Sequence, residues 1–352
     1  MSNTTFIEEK SLIDAIASAS TILLIMDSYM IVMLYITGVA GAVLNMVTFL
    51  QKQLRSNPCA TYFLSTSIVD CGILQVFLLM EILTRFRPEL FTLIYSTRVW
   101  CKFGNYLTFV LPCLTSSYSV LASFDRFCAS SLNQTLRKYS NLKTCRIIVI
   151  SMFIIWALFG LHVPIAYDYI LNPITNAKQC TVLTSSATAF IVIDGYFFSL
   201  FNGAIVPFML SVFGVLIIHN VRMSRRRVTA QIDGEKQSRT IAVANRQNTH
   251  MIKMLLVQVS LTVVFYMPYI VLYLLSFYRK IPGDSLSLLL YIIFSFFARW
   301  LFYGNFCKNF YGNTLTSVLF RSSLRNQCVS FLLRCSVPLI PRSIFSTNIH
   351  TN

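Results

Sequence analysis

The sequence predicts an all-α membrane protein, a bundle of seven transmembrane helices, on three observations. Hydrophobic residues make up 55% of the chain and charged residues only 12%, with a mean hydropathy of +0.64, well above that of a soluble domain. Seven apolar runs, each long enough for the ~20 residues that a helix needs to cross a bilayer core of about 30 Å, are separated by polar clusters. Lysine and arginine gather on alternate connections between the runs, which sets the topology.

Taken in order, residues 1–28 are expected to form a short outer tail. Its stretch SLIDAIASASTILLIM has the look of a signal-peptide core, but Glu8 and Glu9 stand where a positive flank would be required, so the segment is expected to stay on the chain. Asn3 opens an Asn-Thr-Thr glycosylation sequon on that tail. The bundle is expected over residues 29–311, with spans at Tyr29–Leu50, Ala60–Leu83, Phe103–Ser123, Ile147–Tyr169, Ile191–Ile218, Met254–Phe277 and Leu286–Phe306. The third run is rich in Ser, Thr and Asn, which suits a helix surrounded by other helices rather than lipid. A third inner loop at about 221–246 carries Arg225, Arg226 and Arg227, and residues 312–352 form an inner helix and tail.

An outer N-terminus puts 20 of the 29 lysines and arginines on the inner side, Lys308 included; the opposite orientation breaks the positive-inside rule. The net charge of +16 then describes a face suited to anionic lipid and an acidic partner, and no nucleic-acid module accompanies it. Of ten cysteines, Cys101 and Cys180 alone face the oxidising outer side, so they are expected to pair with each other; the alternative is two free thiols. No nucleophile-base pair or phosphate loop points to an enzyme, and the four histidines are too scattered for a metal site.

Asp125-Arg126-Phe127 lies 25 residues after Cys101, roughly 37 Å along a helix, which places a charged pair at the inner mouth of the third span. Alone it would be a snorkelling interfacial arginine. The ordered set is more specific: Asn45 in GAVLN, Asp70 in TSIVD, Asp125-Arg126-Phe127, Trp156, Pro207, Pro268 in FYMP, and Asn309 in NFYGN followed by Phe320-Arg321. In this order the chain resembles a divergent member of the rhodopsin-like (class A) G-protein-coupled receptors over roughly residues 28–335, the Asp-Arg-Phe standing for the family's Asp-Arg-Tyr. The resemblance implies a plasma-membrane receptor with an outer N-terminus, an amphipathic eighth helix, and coupling to a heterotrimeric G protein through Asp125, Arg126 and Phe127.

The departures from the family pattern are equally definite. Asn309-Phe310-Tyr311-Gly312-Asn313 lacks the proline and the tyrosine of the family's NPxxY, Val215 replaces another tyrosine, Tyr266 replaces the toggle tryptophan, and Asn248 replaces an acid on the sixth helix. With no acid at position 248, Arg126 is expected to pair locally with Asp125. These departures keep open a receptor-shaped decoy or scaffold without G-protein coupling; a transporter, the remaining alternative, would show inverted repeats and paired broken helices.

The resemblance also implies that Asn45, Thr115, Asn305 and Asn309 converge on Asp70, either around a sodium ion or as a hydrogen-bonded knot. Thr108 stands where amine receptors keep an acid, and no lysine lies in the outer half of the seventh helix, so neither an amine receptor nor a retinal pigment is implied. Glu81, Thr108, Tyr266, Arg299 and Tyr303 are expected to line an outer ligand pocket, with a peptide of neuropeptide type as ligand; Glu81 and Arg299 have the alternative of a structural salt bridge. Cys328 and Cys335 are candidates for palmitoylation by their juxtamembrane position.

Overall fold

A computed structural model describes residues 2–131, 133–171, 178–183, 187–229, 238–277 and 285–336. Seven helices are long and apolar enough to cross a membrane: Ala17–Phe49, Pro58–Phe86, Arg98–Ser130, Leu142–Ala166, Val192–Ser224, Met251–Leu275 and Leu286–Thr316. The third is 61% buried within the protein, more than any other, as its Ser, Thr and Asn content predicts. The fourth is only 17% buried and turns Ile147, Ile150, Phe153, Ile154 and Leu158 outward, the surface that lipid requires.

Three boundaries differ from expectation. The first helix is continuous over Ser2–Phe49, so the expected outer tail is helical rather than a separate segment, and Asp27 becomes a bundle residue. The fourth span ends at Ala166 because Tyr167 enters a strand, β1 (Tyr167–Leu171), antiparallel to β2 (Lys178–Val182). The seventh helix runs on through the NFYGN stretch to Thr316; with no proline there, nothing interrupts its backbone ladder.

Pro207 shapes the fifth span. Lacking an N–H, it cannot complete the normal ladder, and two π-helical stretches, Ile191–Phe197 and Phe201–Ile205, precede it. Such bulges rotate the side chains beyond them, and Asp194 lies in the first. Small residues allow the closest helix approaches: a Cβ at Gly38 would come 2.6 Å from Cys307 Sγ, so the first and seventh spans touch there through bare backbone.

The C-terminal helix, Val318–Ser336, buries Phe320 against Phe49 and Phe310. It is not amphipathic as expected: its apolar residues are spread around the axis, and the buried side presents Ser323 beside Phe320. Cys328 on it is exposed. The side chains of Asn3, Arg225, Arg226, Arg227, Asn248 and Cys335 are not among those described.

Candidate functional site

At one end of the bundle, Asp125 and Arg126 are both buried. Arg126 donates to Asp125 Oδ2 from Nε at 3.0 Å and from Nη2 at 2.5 Å, the neighbour pairing expected from the sequence. Asp125 Oδ1 also accepts from Ser140 Oγ at 2.8 Å, which ties the third span to the connection leading into the fourth. Phe127 packs on Phe124 and Phe213, joining the third span to the fifth.

Deeper in the bundle Asp70 is 2% exposed and both of its oxygens are occupied. Oδ1 accepts from Thr115 Oγ1 at 2.7 Å and Oδ2 from Asn309 Nδ2 at 2.5 Å. Two other expected partners go elsewhere. Asn45 donates to Ser67 Oγ at 2.7 Å and accepts from Asn313 Nδ2 at 3.0 Å, while Asn305 Oδ1 takes Lys308 Nζ at 2.5 Å. Lys308, expected at the inner end of the seventh helix, is instead 8% exposed inside the protein and shares a cavity wall with Asp70, Thr115, Asn305 and Asn309. A sodium ion needs free oxygens and a negative site. Here the oxygens are bonded and an ammonium is already present, so these residues do not fit the ion.

One amide continues this network towards the sixth span. Asn313, where the family pattern has tyrosine, is fully buried and accepts from Gln258 Nε2 at 2.5 Å. The chain Gln258–Asn313–Asn45–Ser67 thus runs through the sixth, seventh, first and second spans.

The opposite end carries the Cys101–Cys180 disulfide, with Cα atoms 5.5 Å apart. It draws β2 onto the head of the third span, and Arg98 fixes β1 there by donating to both oxygens of Asp168 at 2.7 Å. That fork and the Tyr169 N–H hold the Asp168 carboxyl down at about 2. Beneath the hairpin is a cavity of about 100 Å³, walled by Thr108, Phe109, Tyr167, Asp194, Tyr269 and Tyr273 among others. Burial pushes the Tyr167 hydroxyl up to about 12, so it remains a neutral donor.

Of the expected pocket residues the wall keeps Thr108 and excludes Glu81, Tyr266, Arg299 and Tyr303. Tyr266 lies buried against Phe302. The other three belong to a charged cluster whose centre is Asp27, fully buried. Asp27 accepts from Arg85, from Arg299 Nη2 at 2.7 Å and from Trp300 Nε1 at 2.5 Å. Glu81 lies 3.3 Å from Arg85 and 3.7 Å from Arg299 and accepts from Tyr303 at 2.9 Å. The bridge between Glu81 and Arg299 is therefore part of a four-charge cluster with Asp27 and Arg85.

Sequence reasoning missed the acid that does reach the cavity. Asp194 is 6% exposed, its Oδ1 is 2.7 Å from His162 Nε2, and its backbone carbonyl accepts from Tyr273 at 2.9 Å. The sequence carried no signal for it, because the π-helical turn that holds Asp194 is a feature of the folded backbone.

Comparison with family models matches residues 41–309 to the seven-transmembrane receptors of the rhodopsin family. No curated protein matches the chain.

Proposed function

The chain belongs to the rhodopsin family of seven-transmembrane receptors, and from that premise we propose that it sits in the plasma membrane with its N-terminus outside and couples an outer ligand to a heterotrimeric G protein. The observation that carries this reading is the pairing of two sites on the third span: a cavity at its disulfide end and the buried Asp125–Arg126 pair at its other end. A ligand that binds one conformation better shifts the population between inner-closed and inner-open states, and Arg126 is the group released to the partner.

The ligand is read as a peptide. A cavity of about 100 Å³ is well below the 300–1,000 Å³ of a site that encloses a whole drug-sized molecule, so it takes one side chain or chain end while the rest lies over the hairpin. Asp194 receives a cationic group, and Tyr269, Tyr273 and Phe109 pack an aromatic one. The basic loop at 221–246 and the C-terminal helix offer positive charge to the acidic G-protein surface and to anionic lipid, and Cys328, with Cys335, is available for palmitoylation.

The test is a screen of basic and aromatic peptides on cells expressing the chain, read by G-protein dissociation. A hit should lose roughly tenfold or more in potency with Asp194→Asn, the scale of one charge-assisted contact. With Arg126→Ala the hit should lose signalling while still binding. Full signalling from the Arg126 variant would refute the coupling role. A scaffold without coupling is the second reading, favoured by the buried Asn313 where a mobile tyrosine would be expected. It predicts binding without nucleotide exchange on any G protein.

A further inference from the structure

We propose that Lys308 is a built-in cation for Asp70, occupying by covalent attachment the role of a mobile ion, so that this receptor's stability is independent of sodium. A buried carboxylate is tolerated only when an opposite charge or a full set of donors compensates it. Asp70 has donors from Thr115 and Asn309, and the positive charge comes from Lys308, which lines the same cavity. These two are the charged residues of the cavity wall, which also includes Thr66, Ser116, Ser119 and Gln258; the site is neutral as it stands.

Two features keep an ion out. The lysine is held in place by Asn305, through the backbone carbonyl at 2.9 Å and the side-chain oxygen at 2.5 Å, so an oxygen that would coordinate an ion is already used. The cavity volume is about 20 Å³, room for about one water molecule and not for an ion with its own waters. Adding a cation would leave the site with uncompensated positive charge where none of its walls is acidic apart from Asp70. Lysine in place of an ion also changes the control of the bundle, because a tethered charge cannot leave when helices shift, whereas a bound ion can.

The test uses the full chain purified in detergent, with thermal unfolding followed at constant ionic strength in sodium chloride and in choline chloride. Wild type should unfold within about 1 °C in the two salts. Lys308→Met removes the charge and frees Asn305 Oδ1; sodium at tenfold its dissociation constant should then raise the midpoint by roughly 2 °C, saturably, and choline should not. Asp70→Asn combined with Lys308→Met restores neutrality and should again be indifferent to sodium. A saturable sodium shift in wild type overturns the proposal, as does a folded Lys308→Met variant that ignores sodium. If Lys308→Met gives no folded protein in either salt, recovery in the double variant supports charge compensation and no recovery refutes it. Neither ligand nor G protein enters the measurement, so a failure here is distinguishable from a failure of the receptor function.

Discussion

Replacing Gln258 with leucine should raise the ligand-free activity of this receptor. The Gln258 Nε2 to Asn313 Oδ1 bond, 2.5 Å, is a side-chain tie between the sixth and seventh spans, and both residues are buried. An inner-open state that parts these spans must break it, whereas the closed state depends on it. In Gln258→Leu the Asn313 oxygen is left buried without its donor, a cost of about 1–2 kcal/mol placed on the closed state alone. Water satisfies the same oxygen when the spans part, so the open-to-closed ratio rises by a factor of about 5–30. An open fraction of about 1% would become roughly 5–25%. The assay is nucleotide exchange on purified G protein by ligand-free receptor in nanodiscs, normalised to receptor content. Asn248 replaces an acid on the sixth helix, and the tie between the sixth and seventh spans is this amide pair. Basal exchange that stays level or falls in Gln258→Leu, at equal receptor content, would show that Gln258 does not hold the closed state.

Three further outcomes are expected. Asp27→Asn leaves Arg85 and Arg299 without their shared buried carboxylate and should destabilise the bundle by about 3 kcal/mol, seen as lost surface expression; the charge swap Glu81→Arg with Arg299→Glu, made with Asp27 intact, should also lower expression, because it sets a second carboxylate against Asp27, and normal expression would mean that the pair is isolated from the cluster. Tyr266→Phe removes a buried hydroxyl that has no partner among the described residues and should raise the unfolding midpoint by roughly 1–2 °C, about 1 kcal/mol; a lower midpoint would reveal a partner. Asp168, held near 2 by the Arg98 fork, should stabilise the hairpin at every pH above its unfolded value of about 3.9 and lose that contribution only as pH falls from there through 2. Carboxyl NMR of aspartate-labelled receptor, with Asp168→Asn to assign the signal, checks this, and a midpoint near 4 would mean that the fork does not form.

Seven spans, a central third helix and the neighbouring Asp125–Arg126 pair were all legible in the chain, because lipid imposes a length and an apolar composition that any crossing must meet. The cysteine pair was legible too, because Cys101 and Cys180 fall at the same end of the bundle, as the alternation of spans requires. What hydropathy could not carry is the direction in which a given side chain points. Successive helical residues differ by about 100°, so a small rotation set by packing moves a residue from lipid to core. Lys308 looked like a helix-end flank yet turns inward beside Asn309, and Asp27 looked like tail yet anchors two arginines. Glu81 and Arg299 were read as pocket residues with a salt bridge as the alternative, and whether they line the cavity or meet each other depended on how the first, second and seventh spans pack. Asp194 lies on the cavity wall within a π-helical turn, a backbone form that hydropathy does not report. The chain by itself determined which segments lie in the membrane, through solvation of each segment taken alone. Only the packing of all seven decided which charges meet, since that depends on the rotation and register of every helix against its neighbours.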